Sequence, residues 1–173
     1  MTIIATDGYS ISADSRCTGP SGIIQRPWTK IFPLPDGSAI GCCGSAALAT
    51  IFIEWITLSG EAAELRPSFI AENDFEAIRL YPNGNLFSYG PHCLPEAVPF
   101  PYAIGSGSQY AIGALEAGAS PQRAVEITTV YDPSCGPPVE TLVVRHRKGR
   151  KRNPAPATTA LRAPKEPNES SSL

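Results

Sequence analysis

Three tight-turn signals punctuate the first half of the chain. Asp7-Gly8, Pro35-Asp36-Gly37 and Pro82-Asn83-Gly84 each stand between two short runs rich in apolar residues. Asp-Gly and Asn-Gly suit turns that need a positive φ, which glycine adopts without a Cβ clash. A chain marked this way turns back on itself at short intervals, so its sheets are mostly antiparallel. The pattern predicts strands at 3–5 and 10–13, in "WTKIFPL" and "SAIGCCG", and in "FEAIRLY" and "NLFSYG". Further short strands are expected in "YAIG" and "VETLVV".

The period changes three times. Leu48, Ile51, Phe52 and Trp55 recur at i, i+3, i+4 and i+7, so residues 45–58 are expected to be a helix with this apolar face, stopped at Gly60. A second helix is expected from Ser106 to near Gly118. A third starts with Ser120 as N-cap and Pro121 at the first helical position, and runs to about Tyr131. Residues 90–101 hold four prolines and read as loop, while residues 61–74 are weakly patterned. Strands, helix, strands, two helices and a strand make an α+β chain whose helices must cover its sheets.

Charge divides the chain in two. Residues 1–144 carry six Lys/Arg against fourteen Asp/Glu, a net of -8, whereas residues 145–173 carry eight against two, a net of +6. The second segment begins "RHRKGRKR" and continues rich in Pro, Ala and Ser, a composition that cannot bury enough apolar surface to offset the entropy of ordering. The organisation expected is one domain over 1–144 and a disordered basic tail over 145–173. The basic run has no interleaved aromatic residue, so nucleic acid is not the expected partner. No apolar run is long enough to span a bilayer and no secretion signal is visible, so a cytoplasmic protein without a membrane partner is expected. The five cysteines lack CxxC spacing, and neither His92 nor His146 has metal-like spacing to another ligand; no metal or cofactor is expected.

Four positions carry potential chemistry. Thr2 follows the initiator Met1, and removal of Met1 would leave a threonine at the amino terminus. A threonine hydroxyl is a poor nucleophile without a base. A terminal threonine carries its own, since an α-amino group titrates near pH 8. Asp14 ends a strand in "SADSRCTG", Lys30 lies in "TKIF", and Gly44 ends a strand just before a helix in "GCCGSAA". If these come together, the Lys30 charge favours deprotonation of Thr2 and Asp14 aims Lys30. The N–H of Gly44, at a helix N-terminus, would face a developing oxyanion.

"GYSISADSRCTG", "TKIFPL" with "GCCGSAA", "AIGSGSQYAIGAL" and "YDPSCGPPVETL" together resemble the proteasome β-subunits and the bacterial proteasome-like protease HslV, which are N-terminal nucleophile (Ntn) hydrolases. The resemblance covers residues 2–58 and 102–144. It implies a four-layer αββα sandwich with two antiparallel sheets. It also implies a threonine-type endopeptidase in which Thr2, Asp14, Lys30 and Gly44 act as above, and Ser106 and Asp132 support the proton relay. Where the family often has a serine, Cys135 stands here, a weaker hydrogen-bonding partner. A peptide or unfolded-protein substrate, a homo-oligomeric ring and an ATPase unfoldase partner belong to the same implication.

Two departures qualify it. The first hairpin is roughly four residues shorter than is usual in the family; an even deletion keeps strand facing and leaves Thr2 at the nucleophile position. An odd deletion would put Met1 there and give a catalytically inactive structural or assembly subunit. Residues 59–74 are also too few for the family's long second helix, which reduces one helical layer. A third alternative is an Ntn amidase acting on a small amide.

Overall fold

The computed structural model describes residues 2–19, 22–24, 27–69 and 75–144. Met1 and the expected tail lie outside them. Two antiparallel sheets face each other. The first has the order β10-β1-β2-β11, built from β1 (Ile4–Thr6), β2 (Ser10–Asp14), β10 (Tyr102–Ile104) and β11 (Val139–Val143). The second has the order β5-β6-β7-β8-β9, from β5 (Ile31–Pro33), β6 (Ala39–Gly44), β7 (Phe75–Leu80), β8 (Leu86–Tyr89) and β9 (Pro95–Ala97). A small hairpin, β3 (Cys17–Gly19) with β4 (Gly22–Ile24), stands apart.

Alternation along each strand divides its side chains between two layers. Ile4, Ile11 and Ile104 from the first sheet meet Ile31, Ile78, Leu80 and Leu86 from the second in a buried inter-sheet layer. The sheets approach closely at Gly41, where a Cβ would come within 2.9 Å of Ile4 Cγ2. On the outer face of the first sheet, Ile3, Ala5 and Ala103 pack on α2 (Ser108–Glu116) and α3 (Pro121–Tyr131) through Ala111, Leu115, Ala124 and Val125. On the outer face of the second, Ile40, Cys42 and Ala77 pack on α1 (Ala46–Ser59) through Phe52, Trp55 and Ile56. Phe52 lies 4.9 Å from the Phe75 ring and 5.0 Å from the Tyr89 ring, so truncating it would cost about 3–5 kcal/mol. The layers therefore run αββα, with α1 making up the reduced helical layer among the described residues.

The turns fall where the dipeptides put them, with Gly8, Gly37 and Gly84 all at positive φ. Ser120 accepts from the Arg123 N–H and Pro121 opens α3, as the sequence predicts. Several expectations need correction. Ile51 is 46% exposed and Ile56 takes its place on the buried face of α1, because the sheet meets the helix one step further round than the spacing implied. The proline-rich stretch contains β9; it begins on Pro95 and lies at a sheet edge, where a missing N–H costs nothing. α2 starts at Ser108, so Ser106 belongs to the preceding corner rather than to the helix. Of "WTKIFPL" only Ile31–Pro33 pairs as strand, which puts Lys30 immediately before β5, and the β3–β4 hairpin intervenes between it and Asp14.

Candidate active site

The β1–β2 hairpin sets the geometry of the site. Ile4 faces Ala13 in its register, and beyond this pair the Asp14 N–H donates to Ile3 O at 3.2 Å. The Ile3 N–H returns the bond, donating to Asp14 Oδ1 at 3.0 Å. Residue 2 is thus the first to leave the sheet, at the end where Asp14 sits. Thr2 is 5% exposed and Asp14 is 1% exposed.

Asp14 has a full set of donors. Oδ1 accepts from Ile3 N and from Lys30 Nζ at 2.7 Å; Oδ2 accepts from Arg16 N at 3.1 Å and Gly136 N at 2.9 Å. Such a carboxylate is fixed in both position and orientation. It fixes Lys30 in turn, while the Lys30 carbonyl accepts from Cys42 N at 3.0 Å across to β6. Thr2, Lys30 and Gly44 all line one cavity of about 340 Å³. Gly44 ends β6 at φ +94, and Ser45, the N-cap of α1, makes no capping bond with its side chain. The first N–H groups of α1 therefore lack that side-chain partner where Gly44 and Ser45 line the cavity.

The Gly105–Gly107 corner closes the other side of Thr2. Gly105 has φ +95, and a Cβ there would lie 2.2 Å from the Thr2 carbonyl oxygen, so only glycine fits. Gly107 N donates to that oxygen at 3.5 Å, and Ser106 Oγ lies 3.4 Å from it. Ser106 Oγ is closer to Asp132 Oδ2, at 2.9 Å. A hydroxyl has one proton, and it goes to the nearer, charged acceptor. Asp132 caps the end of α3. Burial works to raise its carboxyl pKa, but the Ser134 N–H and the Ser106 and Cys135 side chains outweigh it and hold the carboxyl below its usual value. The Cys135 thiol donates to Asp132 Oδ2 at 3.4 Å; burial, then the Asp14 and Asp132 charges, push it up to about 12. It remains a neutral thiol at physiological pH and not a nucleophile.

The six residues singled out in the sequence thus form two groups meeting at Thr2: Asp14, Lys30 and Gly44 on one side, Ser106 and Asp132 on the other. The contact of Ser106 with Thr2 is at its carbonyl, and the nearer partner of the hydroxyl is Asp132; the resemblance implies for this serine a role in the proton relay. The sequence reading missed the cavity walls. Trp28, Phe32, Ala49 and Ile53 line it beside the polar groups. Ala49 and Ile53 belong to α1, which packs on β6, whereas Trp28 and Phe32 come from the segment on either side of Lys30. Among the described residues no group of three His, Cys, Asp or Glu side chains is placed to hold a metal ion. No helix among them is long and apolar enough to cross a membrane.

No protein-family model matches the sequence. Solved structures do match in three dimensions. Thiobacillus denitrificans BPH is 23% identical with a TM-score of 0.62, over 86% of this chain and 100% of that one. The same protein in complex with Epoxomicin gives 23%, 0.61, and 85% and 100% coverage. Eukaryotic HslV from Trypanosoma brucei is 19% identical with a TM-score of 0.64, over 84% of this chain and 99% of that one. The fold is therefore the Ntn-hydrolase sandwich of the proteasome-like proteins.

Proposed function

We propose that the chain is a threonine-type endopeptidase with Thr2 as the nucleophile, its amino group freed by removal of Met1. The observation that carries this reading is the burial of Thr2 in the cavity that Lys30 and Gly44 also line. The Thr2 amine takes the proton from its own Oγ, which attacks the peptide carbonyl. The Lys30 ammonium, aimed by Asp14, stabilises the alkoxide as it forms, and the Gly44 N–H donates to the oxyanion. Ser106, held by Asp132, passes the proton towards the leaving amine. The resulting Thr2 ester is then hydrolysed by water. The apolar cavity wall suits an uncharged substrate side chain. A homo-oligomeric ring acting on unfolded protein, with an ATPase unfoldase, is the matching assembly, and the mass in light scattering tests it.

Intact-mass spectrometry tests the chemistry. The mature protein should lack Met1 and gain one adduct from an electrophile directed at N-terminal threonine. Thr2→Ala should abolish that adduct. Epoxomicin, held by one of the structural neighbours, is a natural second ligand. A retained Met1 would instead identify an inactive structural or assembly subunit, and labelling that survives Thr2→Ala would refute the Thr2 mechanism.

A further inference from the structure

Gly136 lacks a side chain without a backbone reason. It is not among the glycines at positive φ, so its conformation does not call for glycine. The space of its missing Cβ is taken by Arg16. A Cβ there would lie 2.6 Å from both Cζ and Nη2 of the arginine, so the guanidinium rests directly on the Gly136 α-carbon. Arg16 is half-buried on the cavity wall, where a long charged side chain would ordinarily reach into solvent. Here it turns back, and Nη1 donates to the Pro133 carbonyl.

The same two segments are joined a second time through Asp14. Its Oδ2 accepts from the Arg16 N–H at 3.1 Å and from the Gly136 N–H at 2.9 Å, and the Ser15 N–H donates to Gly136 O at 3.1 Å. The backbone is therefore fixed on both sides of the guanidinium. The segment gripped in this way, residues 132–136, carries the far half of the candidate site. Asp132 immediately precedes Pro133, and its Oδ2 accepts from Ser106 Oγ at 2.9 Å. Arg16 thus links the Asp14 side of the site to the Asp132 side by a route that bypasses Thr2.

We propose that Arg16 is a positioning residue: its guanidinium, seated on Gly136, clamps residues 132–136 to the end of β2 and so fixes Asp132 and Ser106 relative to Thr2. It acts through the Pro133 carbonyl and does not meet the reacting atoms. A guanidinium suits the task because it is flat. One face lies on the glycine while the edge donates in the same plane. A lysine would supply a donor but no face to stack.

The consequence for labelling rests on Thr2 as nucleophile; the clamp on 132–136 does not. Amide hydrogen exchange and electrophile labelling on the full chain separate the two. Arg16→Leu removes the clamp. Gly136→Ala keeps the arginine and the backbone donors but pushes the flexible guanidinium off its seat, so it tests the clamp even where Arg16→Leu folds poorly. The reporters are the Ser134 N–H, which donates to Asp132 Oδ1 at 2.8 Å, and the Cys135 N–H, which donates to Asp132 O at 3.0 Å. Each single variant should speed exchange at these amides by about tenfold, with β6 and β7 unchanged. Each should lower the maximal labelling rate a few-fold and leave the half-saturating electrophile concentration as it is. The double variant should lose no more than the worse single one, because both changes undo one contact. Arg16→Lys, which keeps a donor for Pro133, should fall between Arg16→Leu and wild type. Unchanged exchange at Ser134 and Cys135 in both single variants would overturn the proposal. So would additive losses in the double variant, or a raised half-saturating concentration at an unchanged maximal rate. If wild type takes no label, the peptidase reading fails, and exchange at the two amides still decides the role of Arg16.

Discussion

Two buried cations belong to the second sheet and its margin, and they are used differently. Arg79 of β7 is held on all sides. Its Nε donates to Ser38 Oγ at 3.0 Å, one terminal nitrogen to Asp36 Oδ2 at 2.9 Å and the other to Glu61 Oε1. Its guanidinium lies 4.5 Å over the Tyr81 ring, and the Tyr81 and Tyr89 hydroxyls close the cluster by donating to the same Glu61 oxygen. Lys30 has Asp14 as its ion-pair partner among the described residues, and it lines the cavity that Thr2 lines. An ammonium has three donors, so the pair with Asp14 leaves capacity on the cavity side. A cation with an acceptor on each of its nitrogens ties elements together. One with a single anionic partner, itself held rigid, has donors left for a reacting group.

The largest expected effects test this contrast directly. Lys30→Ala should reduce labelling of Thr2 by more than about a hundredfold, in line with losing an electrostatic stabiliser at a reacting oxygen. Its cost in stability should be smaller than the activity loss suggests, because Asp14 keeps three backbone N–H donors. Arg79→Ala should do the reverse. Removing one partner of a buried cluster costs about 2–4 kcal/mol, with Asp36 and Glu61 partly relieved by solvent, while the folded fraction labels at the wild-type rate. Urea melts and labelling rates on both variants check the pair; matching losses in both readings would erase the distinction.

Gly105→Ala comes next in size. The new Cβ meets backbone rather than a flexible side chain, at 2.2 Å from the Thr2 oxygen and with φ at +95. The corner must move, at a cost of about 1–3 kcal/mol in strain, and Thr2 moves with it. Labelling should fall at least about tenfold. An equivalent change at Gly60, which has φ +60 but nothing within 4 Å of a Cβ, should cost stability alone.

What was legible in advance follows the same line. The Asp-Gly and Asn-Gly turns and the Ser120-Pro121 helix start could be read because each depends on local backbone chemistry, and antiparallel sheets covered by helices followed from them; the αββα layering came from the family resemblance. The face of α1 was misjudged at Ile51 because the docking angle of a helix on a sheet is a tertiary quantity. β9 was hidden because prolines are penalised in strands generally, and edge placement becomes visible only once the sheet exists. Asp14, Lys30 and Gly44 were readable as types at plausible spacings.

The smallest expected effect concerns Asp132, a third anion that falls between the two clusters. It has hydrogen-bond donors from Ser134, Ser106 and Cys135 but no cation among the described residues, and it is only partly buried. Burial pushes its carboxyl pKa up, and these hydrogen bonds more than reverse the push. With the folded value depressed, the group stabilises the fold above the ordinary carboxylate range, and this contribution is lost as pH falls through the depressed value. Solvent screening keeps it small. Asp132→Asn should therefore cost less than about 1 kcal/mol near neutrality and almost nothing in strong acid. With its amide oxygen kept on the Ser134 N–H, the asparagine puts an NH2 donor where Oδ2 accepted from Ser106, so that hydroxyl would turn its proton to the Thr2 carbonyl 3.4 Å away. Labelling should then fall only a few-fold, far less than for Lys30→Ala, because the serine is reoriented rather than removed. Urea melts at neutral and acid pH, read beside labelling rates, check both halves. A pH-independent loss of stability would mean that Asp132 acts as a neutral cap on α3, and that the charge beside Ser106 contributes nothing to the fold.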